Sequence, residues 1–244
     1  MVLLGVGILA GIVSTVASLA SIVSYPALLA LGLPPVSANV TNTVALMFTG
    51  LGAAAGSRPE LAGQGRRVLR LGLLTAAGGG VGAALLLLTP SATFEYAAPV
   101  LIAVGSIVIL RPPVPVAGAA VTDREDGWLP RLAIFAVAVY IGYFGAAGGI
   151  LLLAVLIRML RQSLARTNAV KNVISGLANA VAGIGFAIFG PVRWAAVVPL
   201  AAGFLIGGWA GPWLVRRLPA RGLRVVVGIC GLALAIRLGV SAYG

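Results

Sequence analysis

The stretch that decides the fold is residues 142–149, which read GYFGAAGG near the middle of a long apolar segment, 132–160. Wholly helical, this segment would run about 45 Å at 1.5 Å per residue, too long for a hydrocarbon core of about 30 Å unless steeply tilted. Gly148 and Gly149 weaken a continuous helix by about 1 kcal/mol each. The segment therefore predicts a broken helix or a re-entrant hairpin, with a kinked, tilted single span as the alternative.

A second apolar segment of the same kind, 2–33, opens the chain. Its hydroxyl side chains are followed by Pro26, which lacks the N–H of a helix hydrogen bond, so an interruption is expected here too. Irregular backbone survives at membrane depth only where protein or a water-filled cavity satisfies its polar groups. Both interruptions are therefore candidate parts of a binding site. The hydroxyl side chains are Ser14, Thr15, Ser18, Ser21 and Ser24.

Composition assigns the class of protein. Of the 244 residues, 60% are hydrophobic and 9% are charged, against about a quarter charged in a soluble domain. The mean hydropathy is +1.10. So few charged side chains cannot cover a water-exposed surface, and lipid must surround most of the chain. The net charge of +12 does not indicate nucleic-acid binding, because the basic residues fall in short clusters between apolar runs, where they orient membrane segments.

Besides the two interrupted segments, the sequence contains apolar runs that are long enough, or nearly long enough, to cross a bilayer as helices. The expected fold is all-α, a polytopic bundle of transmembrane helices with six to eight membrane segments. The single cysteine, Cys230, allows no internal disulfide. The apolar runs occupy residues 40–55, 68–88, 96–110, 169–189, 194–215 and 223–240.

Each interrupted segment is followed by a similar polar sequence, SANVTNTV in the first half of the chain and RTNAVKNV in the second. Asn39 aligns with Asn168 and Thr43 with Asn172, which places polar groups one turn apart on one helix face in each copy. Apolar runs then follow in both halves. An internal duplication of this kind is typical of secondary transporters.

Loop arginines indicate that the two copies face opposite ways. Simple crossings would put the loop of Arg58 and Arg66 on the opposite face from the loop of Arg158 and Arg161, against the preference of basic loops for the cytoplasm. The conflict disappears if both interrupted segments return to their starting side. We therefore expect inverted repeats, each a broken helix or hairpin plus three spans. The expected organisation is a first transmembrane repeat at 1–111, a cytoplasmic linker at 112–130 and a second transmembrane repeat at 131–244.

Several short sequences carry a family resemblance: GILAG at 7–11, YPALL at 25–29, LGLPP at 31–35 and ANVTNT at 38–43. Together with the similar second copy, they resemble the TauE/SafE family of sulfite-exporter-like permeases. The family's glycine cluster in the first segment is replaced here by serine and alanine at 16–21. The resemblance implies a permease of the bacterial plasma membrane that moves small anions, such as sulfite, sulfonates or other organosulfur anions.

Chemistry independent of the family also points to an anion site at the two interruptions. Half-helix N-termini present unpaired N–H groups and the positive end of a helix dipole, and two broken helices would direct two such ends at one cavity. Serine hydroxyls, glycine N–H groups and the polar starts of the following helices are the candidate donors. The candidate substrate-binding residues are Ser18, Ser21, Ser24, Asn39, Asn42, Thr43, Gly148, Gly149, Asn168, Lys171 and Asn172.

Lys171 is the only lysine in the chain, and it lies inside the start of an apolar run. At such a position a lysine can extend its ammonium to the membrane interface. It can also act as a buried point charge that recruits an anion. The sequence leaves both interpretations open.

The residues that are missing narrow the chemistry. The chain has no histidine, and its five acidic residues lie in or beside loops. We therefore expect no metal site, no cofactor, no ATPase and no enzymatic activity. The expected partners are a small anionic substrate and the lipid bilayer, while the coupling ion and the oligomeric state stay open. A non-transporting membrane scaffold or subunit is the alternative function.

Overall fold

The computed structural model describes residues 1–18, 20–110, 127–145 and 148–215, together with 229, 232, 233, 235, 236, 239 and 240. All regular elements in this part of the chain are α-helices, as predicted. Most of the predicted linker and of the last predicted apolar run, 223–240, lies outside it. The helices are α1 (Val2–Ala17), α2 (Ala20–Ala30), α3 (Pro35–Gly56), α4 (Arg58–Leu61), α5 (Gly65–Leu88), α6 (Ser91–Leu110), α7 (Trp128–Tyr143), α8 (Gly148–Met159), α9 (Leu164–Phe189) and α10 (Trp194–Val215).

The first apolar segment is broken at Ser18. α1 ends just before this residue, whose φ of 61° and ψ of 37° lie in the left-handed region. A left-handed residue turns the chain out of a right-handed helix, and the Ser18 N–H closes the last turn on the Ser14 carbonyl at 2.8 Å. The interruption in the hydroxyl-rich stretch is confirmed, but the role expected for Pro26 is wrong, because Pro26 lies inside α2. A proline costs a helix one hydrogen bond, and α2 continues through it with Tyr25 and Leu28 buried against the rest of the protein.

The second apolar segment is broken at the glycines that predicted the break. α7 ends at Tyr143 and α8 begins at Gly148, and Gly145 between them has a φ of 73°, which glycine adopts at little cost. At 1.5 Å per residue, the four half-helices α1, α2, α7 and α8 are about 16 to 24 Å long. Each is shorter than a hydrocarbon core of about 30 Å.

Helices long and apolar enough to cross a membrane occur in both halves of the chain, by length and composition. Large apolar side chains on these helices face outward, including Leu73, Ile188 and Val198, which are 65%, 67% and 70% exposed. An exposed apolar surface of this kind fits lipid as its surroundings. The membrane class expected from composition therefore agrees with the fold. The helices of this type among the described residues are Gly65–Leu88, Leu164–Phe189 and Trp194–Leu214.

The long helices α3 and α9 cross with a glycine from each at the contact. A Cβ added to Gly50 would lie 2.7 Å from the Cα of Gly176, so neither position accepts a side chain without separating the helices. The two helices run in opposite directions, because Gly183, later in α9, packs against Val44, earlier in α3. The two halves of the chain thus approach each other backbone to backbone, as small residues allow in membranes.

The first helix of each half packs against a later helix of the other half. α1 lies on α10, where a Cβ on Gly203 would be 2.7 Å from the Cα of Gly7. One turn further along both helices, Gly11 meets Gly207, so α1 and α10 run parallel. α7 lies on α5 through close glycine contacts of its own, among them Gly142. These exchanged pairs hold the ends of α1 and α7, and hence the two breaks, near the crossing of α3 and α9.

Candidate functional site

The two breaks meet at a polar cavity of about 40 Å³, which is room for a few water molecules. The first break contributes Ser18 and Ser21, and the second contributes Gly145 and Gly149. Lys171 of α9 also lines it. Of these five residues, all except Gly145 were predicted, and they come from three distant parts of the sequence.

Glycine at position 149 is what lets the two breaks touch. A Cβ added to Gly149 would lie 2.7 Å from the Cβ of Ser18, closer than two such atoms can approach. A Cβ on Gly145 would come within 4.0 Å of the Ser21 hydroxyl. The contact joins one half of the chain to the other at the wall of the cavity.

Lys171 lies wholly within the protein. Its side chain is 1% exposed, so its ammonium does not reach the surface, and it donates a hydrogen bond to the Ser18 hydroxyl. Among the described residues, no carboxylate pairs with it. A buried ammonium with only a neutral partner is poorly compensated for its lost hydration. An anion in the cavity would supply the counter-charge that the ammonium lacks.

Ser24 and Asn42 act behind the cavity wall. The Ser24 hydroxyl donates to Asn42 Oδ1 at 2.6 Å, and Asn42 Nδ2 donates to the Ser21 hydroxyl at 3.1 Å. Neither Ser24 nor Asn42 belongs to the lining, but together they fix the orientation of Ser21, which does. The Thr43 hydroxyl donates to the Asn39 carbonyl at 3.0 Å, within its own helix, so Thr43 contributes nothing to the cavity.

Asn39 and Asn168, the residues aligned by the duplication, make matching contacts across the molecule. Asn39 Nδ2 donates to the carbonyl of Tyr143 at 3.0 Å, and Asn168 Nδ2 donates to the carbonyl of Thr15 at 2.9 Å. Each accepting carbonyl lies in the last turn of a half-helix, where carbonyls commonly need a partner from outside the helix. The two asparagines therefore cap the breaks and do not line the cavity.

The remaining predicted residues lie beside the cavity. Gly148 packs on Ile141, where an added Cβ would be 2.5 Å from Ile141 Cγ1. Asn172 lines a second, smaller pocket next to the first. The sequence prediction missed Ser175 and Asn179, which also line the main cavity. They follow Lys171 by four and eight residues, and this helical spacing would have placed them on the same face.

The polar groups around the cavity include donors that can bind an anion. Hydroxyls, an amide, glycine backbone and one ammonium surround the space. No group of three or more histidine, cysteine, aspartate or glutamate side chains that could hold a metal ion occurs among the described residues. Such a lining can bind a small oxyanion through hydrogen bonds and one full positive charge.

Comparison with known proteins gives one result. The family model described as sulfite exporter TauE/SafE matches residues 3–238, nearly the whole chain. No curated protein and no solved structure matches this chain. The extent of the family match, on an all-helical chain with apolar helices of membrane length, leads to one conclusion: the protein belongs to the sulfite exporter TauE/SafE family, a family of membrane transporters.

Proposed function

We propose that this protein is a secondary transporter of a small oxyanion, sulfite or a sulfonate, in the bacterial plasma membrane. The anion binds where the two breaks meet, at the ammonium of Lys171. The single observation that carries the proposal is this buried ammonium, which faces a polar cavity and has no carboxylate partner among the described residues. The family description names sulfite, which supports an oxyanion as the substrate class.

The helix starts at the cavity add to the attraction. α2 begins at Ala20 and α8 begins at Gly148, and residues of both first turns, Ala20 and Gly149, line the space. The first turn of a helix carries unpaired N–H groups and the positive end of the dipole. An anion in the cavity would therefore meet two partial positive charges beside the ammonium, an arrangement that transporters with broken helices use for anionic substrates.

We further propose that the two halves are inverted repeats with re-entrant segments. α1 and α3 both run parallel to α10, since Gly52 of α3 approaches Leu205 and Gly56 approaches Trp209. The chain must therefore turn back between α1 and α3, and α2 is the segment that returns. In the second half, α7 and α9 both run parallel to α5 and α8 returns. The antiparallel crossing of α3 and α9 supports opposite orientations of the two repeats.

Two contacts support a common membrane face for the arginine-rich loops. Arg166 Nη2 donates to the carbonyl of Ala62 at 2.8 Å, and Arg67 Nη1 donates to Gln162 Oε1 at 3.2 Å. The loop between α3 and α5 therefore lies against the loop between α8 and α9. By the preference of basic loops for the cytoplasm, this face is the cytoplasmic one.

Sulfite flux into proteoliposomes tests the proposal. Lys171→Gln removes the ammonium and keeps most of the side-chain length. We expect sulfite flux and sulfite affinity to fall about 10- to 100-fold, because a hydrogen bond to a charged group contributes about 1.5–3 kcal/mol. Arg66→Gln, which removes one positive charge from an exposed position, is the matched control and should transport as the wild type does.

Two outcomes would contradict the proposal. Unchanged flux and affinity in Lys171→Gln would remove the ammonium from the site. If folded wild-type protein transported none of the three anions sulfite, a sulfonate and sulfate, a non-transporting membrane subunit would become the better explanation of its function.

A further inference from the structure

A second polar pocket lies beside the Lys171 cavity. It holds about 20 Å³, room for about one water-sized group, between α1, α3 and α9. The two spaces are adjacent, because four residues line both of them: Ser14, Leu46, Ser175 and Asn179. The second pocket contains no charged residue in its lining.

Two buried side chains of this pocket have an unsatisfied polar atom. The hydroxyl of Thr49 and the Nδ2 group of Asn172 have no hydrogen-bonding partner among the described residues. The two side chains are 5% and 6% exposed, and both line the pocket. Buried polar atoms are nearly always paired, so two unpaired ones on one small pocket point to a ligand that pairs with them.

The other buried threonines among the described residues all make hydrogen bonds through their hydroxyls. Thr43 donates to the carbonyl of Asn39 in its own helix, and Thr75 donates to the carbonyl of Ile174 in the neighbouring helix at 2.7 Å. Thr49 lies in the same kind of tightly packed helix and makes neither type of bond. Its hydroxyl remains available to the pocket.

The pocket extends along α3 and α9, next to the Lys171 cavity. Leu46, Thr49 and Ala53 follow one another along one side of α3, a distance of about 10 Å at 1.5 Å per residue. α3 ends at Gly56, directly before the loop that contacts Arg166. Along α9, Lys171 lies between Arg166 and the pocket residues Asn172, Ser175, Gly176 and Asn179.

We propose that this pocket is a second, uncharged subsite, which takes an oxygen atom of the anion as the anion moves to or from Lys171. This inference rests on the proposed transport function. Thr49 and Asn172 offer neutral hydrogen bonds, which hold an anion less strongly than an ammonium and so let it leave. The neighbouring Lys171 ammonium repels cations, so a cation is not the ligand.

The test separates binding from flux with Thr49→Val, which replaces the hydroxyl by a methyl group of similar size. Sulfite binding to the purified full-length protein is measured by calorimetry, and sulfite flux is measured in proteoliposomes. We expect binding within about twofold of wild type and flux reduced about tenfold, a change of about 1.4 kcal/mol in the barrier. Asn172→Leu should behave in the same way and provides a second variant.

Thr89→Val is the control, because the Thr89 hydroxyl bonds only to the Leu85 carbonyl of its own helix, away from both pockets. It should leave binding and flux unchanged. Wild-type flux in folded Thr49→Val and Asn172→Leu, with flux lost in Lys171→Gln, would overturn the second subsite and leave the proposed function intact. Equal losses of binding and flux in Thr49→Val would mean that Thr49 belongs to the Lys171 site, and would also overturn the second subsite. Wild-type flux in Lys171→Gln would instead contradict the proposed function itself.

Discussion

The ammonium of Lys171, in the second half of the chain, donates a hydrogen bond to the hydroxyl of Ser18, in the first half. Ser18 is the one residue other than glycine with a positive φ among the described residues. A left-handed conformation costs an L-residue about 1–2 kcal/mol. The contact that brings the two halves together thus uses a residue whose backbone is strained.

Replacing Ser18 separates the backbone strain from the hydrogen bond. Ser18→Ala and Ser18→Gly both remove the hydroxyl, but only glycine adopts a φ of 61° without steric cost. We expect Ser18→Gly to be more stable than Ser18→Ala by about 1 kcal/mol. Thermal unfolding of both variants in one detergent measures the difference. Equal melting temperatures would show that the left-handed backbone costs nothing here.

Gly149→Ala should push the two breaks apart. The added methyl group would lie 2.7 Å from the Cβ of Ser18, which lies next to the backbone and cannot move aside easily. We expect a loss of about 1–3 kcal/mol in stability, the usual cost of overpacking, together with reduced sulfite flux. Gly5→Ala is the control, because a Cβ at Gly5 meets nothing within 4 Å. A Gly149→Ala protein as stable and active as Gly5→Ala would contradict the close contact.

Asn39→Leu and Asn168→Leu should have similar effects, since each removes the cap of a broken half-helix. The carbonyls of Tyr143 and Thr15 would lose their donors, at a cost of about 1–3 kcal/mol for each buried group left unpaired. Thermal unfolding of the two single variants provides the comparison. A large effect in one variant and none in the other would show that the two contacts are not equivalent.

Cysteine labelling tests the inverted arrangement. In a Cys230→Ser background, Arg66→Cys and Arg161→Cys should react from the same side of the membrane, because their loops are joined through Arg67 and Gln162. Arg193→Cys should react from the other side. The measurement is reaction with an impermeant maleimide in oriented vesicles. Labelling of positions 66 and 161 from opposite sides would contradict the proposed topology.

The sequence predicted the class of fold and the second break for reasons that are local. Composition alone requires lipid, and the glycines around Gly145 weaken a continuous helix. The first break was attributed to Pro26 because a proline gives a strong local signal, whereas a serine gives none for a left-handed turn. Ser18 is held in that conformation beside Lys171 and Gly149, which come from a distant part of the chain.

The candidate site was predicted in part. Ser18, Ser21, Gly149 and Lys171 line the cavity. They could be predicted because they are hydrogen-bond donors at or beside the two interruptions. The alignment of Asn39 with Asn168 was visible in the sequence, but their role as caps was not. That role depends on which carbonyls the two breaks leave without a donor, and only the packing of one half on the other decides this.

The exchanged asparagine caps also set an order of events during synthesis. The carbonyl of Thr15 enters the membrane long before Asn168 has been translated, and its donor arrives only with the second half. The hydrogen bond from Asn168 can therefore form only after more than half of the polypeptide has been made. Because each break takes an asparagine from the other half, we expect two halves produced as separate chains to complete both caps only on meeting each other.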